Sequence, residues 1–127
     1  MENKEQIYNQ HHENLDWLNR LRFYKEEIEI LKERLEEIAS KNSNEDVLAK
    51  VEHFQNQFIV QRNNIDELAH SIKMNEAKLM DEVEKNPVAS DHRTTEYHQK
   101  ENEFITYFET NFAKLRDDFN QFISKWM

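Results

Sequence analysis

The chain has 127 residues, with no glycine, no cysteine and one proline, where average usage would place about 7% glycine and 5% proline. Hairpin turns, phosphate-cradling loops and dinucleotide fingerprints need glycine at positive φ or at a close backbone approach. Disulfide scaffolds, thiolate zinc sites and cysteine nucleophiles need cysteine, and the net charge of −9 opposes the phosphate contacts of nucleic acids and anionic membranes. What remains is a chain of long helices. The first is expected near residues 4–40, with Ile7, His11, Leu15, Leu18, Leu21, Tyr24, Ile28, Leu31, Leu35 and Ile38 at steps of three and four. Ser40-Lys41-Asn42-Ser43-Asn44 follows as a turn, and Ser43 is the expected N-cap of the next helix, with Asp46 in its first turn. The second helix, near 44–86, carries Val51, Phe58, Ile65, Ile72 and Leu79 at a seven-residue repeat, with Phe54, Gln61, Leu68 and Asn75 between them. Asn86-Pro87 breaks it, because proline lacks the N–H and displaces its predecessor from the helical region. Ser90 or Asp91 can cap a third helix near 91–126, with Tyr97, Glu101, Phe104, Phe108, Phe112, Leu115, Phe119, Phe122 and Trp126 in its stripe.

One apolar stripe per helix and two short connections predict a single all-α domain over residues 1–127. It is an elongated, up-down-up antiparallel three-helix bundle with coiled-coil-like packing. At 1.5 Å per residue each rod should be roughly 55–65 Å long. The third helix holds eight of the 14 aromatic residues, which reads as core, with a partner or apolar-ligand surface as the functional alternative. Met74 and Met80 read as core fillers. Phe23, Ile30, Ile59, Val60, Ile105, Tyr107 and Ile123 fall beside the stripes. They leave more apolar surface than a slim bundle covers, which predicts a homodimer or another protein partner. The opening residues are too polar for a secretory signal, and no apolar run approaches the ~20 residues of a membrane span. A soluble, cytoplasmic protein is the expectation.

The stripes have polar gaps. With turns centred near residues 43 and 88, facing positions on helices one and two should have numbers summing to about 86, and those on helices two and three to about 176. His11, Asn75 and Glu101 satisfy both conditions and are expected at one level. A buried carboxylate there needs a partner, and His11 and Asn75 are the candidates. The plainest role for such a layer is to fix register. A second, milder level places Gln61 near Tyr24 or Lys25 and near Lys114 or Leu115.

The same end of the chain gathers His11, His12, His70, His92 and His98. Pairs such as His12/Asp16, Glu67/His70, His92/Glu96 and His98/Glu101 lie three or four residues apart and so share a helix face. Imidazole with carboxylate suits zinc, iron or manganese. An alternative function is therefore a metal-binding bundle, taking iron or zinc on His11 or His12, His70, His98 and Glu101, supported by Glu67 or Asp16. Glu67-Leu68-Ala69-His70 resembles the Glu-x-x-His element of ferritin-like di-iron proteins, which use two such elements and two further Glu on four helices, against one element in this chain. His92 and Glu96 resemble part of the hemerythrin pattern, without its His-x-x-x-His element. These resemblances imply iron, cover only those residues, and assign the chain to neither family.

No Gly-x-Ser-x-Gly elbow and no His-Glu-x-x-His motif occurs. Carboxylate pairs such as Glu26/Glu27 and Glu36/Glu37 read as solvated helix faces. Arg20, Arg22, Lys25, Lys32 and Arg34 are interleaved with acids and too dilute for nucleic-acid binding. The expectation is a non-enzymatic module acting by oligomerisation or partner binding.

Overall fold

The computed structural model describes residues 2–85 and 92–126. They form three helices: α1 (Glu2–Lys41), α2 (Glu45–Lys85) and α3 (His92–Trp126). All pack on one another in an all-α three-helix bundle. The expected boundaries agree within about two residues at each described end. Pro87, Ser90 and Asp91 lie outside the described residues. The cap of α2 differs from expectation. Asn44, not Ser43, accepts the Asp46 N–H on its Oδ1 at 2.8 Å, and its carbonyl accepts the Leu48 N–H at 3.0 Å. An Asn at this position satisfies a free first-turn donor, and Glu45 and Asp46 complement the helix dipole. The Asn42 amide closes the end of α1 by donating to the Ile38 carbonyl at 2.9 Å.

Cross-helix contacts give the direction of each rod. Lys25 meets Asp66 at 2.8 Å, while His11, earlier on α1, meets Glu76, later on α2. These helices are antiparallel. Between α1 and α3 the pairs advance together, from Glu13–His98 through Arg20–Glu109 to Glu27–Arg116, so those two run parallel. The chain therefore goes up, down and up. The α1/α2 pair packs most closely and the α1/α3 pair least.

The core is a continuous column. Leu21, Ile28, Leu31, Leu35 and Ile38 of α1 meet Val47, Val51, Phe54, Phe58, Ile65 and Ile72 of α2. Ile105, Phe108, Phe112, Leu115, Phe119 and Phe122 of α3 complete it. At the loop end, Phe119 lies edge-on to Phe54 and Phe58, each with ring centroids 5.2 Å apart. Such aromatic edges add to the burial of large rings.

Three expected stripe positions are corrected. On α1, Asn14 and Trp17 are buried and Leu15 is 44% exposed. On α3, Ile105 is buried and Phe104 and Tyr97 are exposed. Met74 and Met80 are surface residues, not core fillers. Of the seven residues set beside the stripes, Phe23, Ile30, Ile59, Val60 and Tyr107 are exposed, whereas Ile105 is core and Ile123 half-buried against it. One carboxylate of the supposed solvated faces also works structurally. Glu27 receives both Nε and Nη2 of Arg116, at 2.5 and 2.7 Å. The Arg116 guanidinium also lies over Phe112, 5.1 Å from the ring centroid. This two-point pairing clamps α1 to α3, and it holds the Arg116 guanidinium above its ordinary pKa.

Candidate functional site

The polar level exists, but it divides into two centres. On the α2/α3 side, Glu101 is 4% exposed. Its Oε1 accepts from the Ser71 hydroxyl and from Asn75 Nδ2, the latter at 2.8 Å. Its Oε2 is buried and has no hydrogen-bond partner. On the α1/α2 side, Glu76 receives His11 Nδ1 on one oxygen and Asn14 Nδ2 on the other, at 2.6 Å. The expected Asn75–Glu101 contact is therefore present. The expected His11–Glu101 contact is replaced by His11–Glu76. Neighbouring residues Asn75 and Glu76 lie about 100° apart round α2, so they face different helices.

His98 forms a third contact at this level. Its Nε2 lies 2.6 Å from Glu13 Oε2, and its ring stacks on Trp17 with centroids 4.7 Å apart. Trp17 is buried. Glu13, Asn14, Trp17, Ser71 and Glu76 were not singled out from the sequence. Asn14 continues the seven-residue line through Leu21, Ile28 and Leu35 and Trp17 the line through Tyr24, Leu31 and Ile38, whereas Glu76 carries no signal beyond its place beside Asn75.

The proposed metal ligands are placed as follows. His11 and His12 have ring centroids 5.8 Å apart, but His12 is exposed and His11 turns to Glu76. His70 is exposed. His98 turns to Glu13, away from Glu101. Glu67 and Glu101 line the same groove. Asp16 pairs with Arg20 at 2.9 Å. The His92 side chain lies outside the described residues. Among the described residues, no group of three or more His, Cys, Asp or Glu is gathered to hold a metal ion.

The second expected level is also present in altered form. Gln61 and Leu115 are buried, Lys114 is exposed, and Lys25 turns outward to Asp66. Tyr24 donates its hydroxyl to Glu109 at 2.7 Å. Burial, and then the hydrogen bond to Glu109, push the Tyr24 phenol above its ordinary value near 10.0, to about 12. A raised folded-state pKa gives stabilisation that is complete below the unfolded value and is lost as pH rises through the folded one. Thermal melts should therefore show wild-type stability falling from about pH 10 to 12 more steeply than that of Tyr24→Phe. Parallel curves would contradict this.

Between α2 and α3 runs an open groove of about 360 Å³. Leu68, Phe104, Tyr107 and Phe108 form its apolar walls, and Gln61, Asn64, Glu67, Ser71, Glu101 and Asn111 its polar lining. This size lies in the range of small-molecule sites. No described helix is long and apolar enough to cross a membrane. Comparison with known protein families, curated proteins and solved structures gives no match.

Proposed function

We propose that the chain is a non-enzymatic helical module that works by protein association, with a second copy of itself as partner. The observation that carries this reading is the pair Phe23 and Ile30, which are 60% and 53% exposed. Each follows a core position of α1 by two residues, Leu21 and Ile28, and precedes an inward one by one, Tyr24 and Leu31, so the pair lies on the flank of the core, about 100° round the helix from its nearer edge. They stand one heptad apart, the spacing at which another helix seats its own apolar residues. A twofold pairing of α1 with α1 would use the same patch on both copies. The slender shape leaves surface to spare. The chain exposes 8888 Å², against about 7,200 Å² for a compact monomer of this mass.

Burying Phe23 or Ile30 fully would contribute about 1.5–3 kcal/mol per side chain, or roughly ten- to hundredfold in association. Sedimentation equilibrium should show dimer at tens of micromolar, and Phe23→Glu and Ile30→Glu should each shift it to monomer without loss of helix. A wild-type chain that stays monomeric over this range would overturn the proposal.

A further inference from the structure

We propose that the α2/α3 groove is a binding site for an elongated organic cation, whose ammonium sits on Glu101 and whose far end donates a hydrogen bond to Gln61. Three buried side-chain polar atoms lack a hydrogen-bond partner among the described residues: Gln61 Oε1, Glu101 Oε2 and the Trp126 indole nitrogen. Two of the three belong to residues lining this one groove. Glu101 and Gln61 are 4% and 8% exposed. A buried carboxylate oxygen without a donor is costly, and so is an unpaired amide oxygen. Both oxygens are covered, so a ligand reaches them as the Glu101 and Gln61 side chains turn into the groove, and one that brings a cationic donor to the first and a neutral or cationic donor to the second removes both costs.

The rest of the groove suits the body of such a molecule. Leu68 and Phe108 offer apolar wall, and Phe104 and Tyr107 stand at its edge, 57% and 71% exposed. Aromatic faces attract an ammonium as well as an alkyl chain. Among the described residues no Lys, Arg or His lines the groove, and Glu67 adds a second carboxylate. The charge of the site therefore opposes anions. Ser71, which donates to Glu101, and Gln61 lie ten residues apart on α2, a backbone rise of about 15 Å, so the two acceptors belong to separate levels of the groove. That span selects a long, thin molecule with donors at both ends over a compact one.

The test is isothermal titration calorimetry of the full chain with three probes of one chain length: decane diamine, decylamine and decanol, each below its aggregation limit. The diamine should bind most tightly, decylamine next, and decanol at least tenfold more weakly than decylamine. Glu101→Gln should remove the amine's advantage over decanol, and Gln61→Leu should remove only the diamine's advantage over decylamine. Phe104→Ala, at an exposed edge, keeps the fold testable if a buried variant fails, and it should weaken both amines at least threefold. The proposal is overturned if no amine binds wild-type protein, if decanol binds as tightly as decylamine, or if Phe104→Ala leaves amine affinity unchanged.

Discussion

Phe119→Ala should lower the free energy of unfolding by about 3–5 kcal/mol, the usual cost of emptying a large aromatic site in a core. The Phe119 side chain is fully buried and touches the rings of Phe54 and Phe58. Phe119 lies inside α3 and faces the interior of α2, so helical backbone on both sides limits collapse into the space. Against the 5–15 kcal/mol that holds most domains folded, such a loss shows as a large drop in the urea midpoint followed by circular dichroism. Tyr107→Ala, at a 71% exposed position on the same helix, should shift the midpoint by less than about 0.5 kcal/mol. Equal effects at the two positions would mean that the core face of α3 is misassigned.

Asn75→Leu should cost about 1–3 kcal/mol, because it takes a donor from a buried carboxylate. The wild-type layer is already only partly satisfied, with Ser71 and Asn75 on one oxygen of Glu101 and nothing on the other. Glu101→Leu should cost less than this, because it removes the buried carboxylate together with its unpaired Oε2 and leaves only the part-buried Ser71 and Asn75 donors without an acceptor. In the double variant the cost of Asn75→Leu should largely vanish, because the carboxylate it served is gone. A coupling energy of about 0.5–3 kcal/mol across this cycle is expected. Additive effects in the chemical melts would show that Asn75 and Glu101 do not communicate.

The rods, their order and most of their ends were legible in the sequence, because a single proline and one run of small polar residues are its only breaks. The rotation of each rod was less legible. Around Phe104 and Ile105 the choice is symmetrical. Phe104 follows Glu101 by three and precedes Phe108 by four, while Ile105 follows by four and precedes by three. Both patterns fit a helix stripe, and one residue of difference turns the face by about 100°. On α1, hydrophobicity misled. Leu15 is more apolar than Asn14, yet Asn14 is buried because Glu76 accepts its amide.

The polar level shows the same limit. The register arithmetic brought Asn75 to Glu101, because turn positions determine which levels meet. It could not assign His11 to Glu76 over Glu101, because that depends on which side of α2 faces α1. The groove between α2 and α3 has no signature of its own in the sequence: the aromatic stripe of α3 reads equally as core or as an apolar-ligand surface, and only the rotation of α3 leaves Phe104 and Tyr107 at the groove edge.

The exposed apolar pair on α1 carries the functional account, and the absence of cysteine makes it open to direct measurement. A nitroxide on Asn19→Cys, one turn before Phe23 and itself exposed, reports the distance between copies by double electron–electron resonance. A helix-on-helix dimer with axes about 8–10 Å apart should give one narrow, short distance band, abolished by Phe23→Glu. The absence of any dipolar signal at tens of micromolar, or a band unchanged by Phe23→Glu, would contradict association through this face.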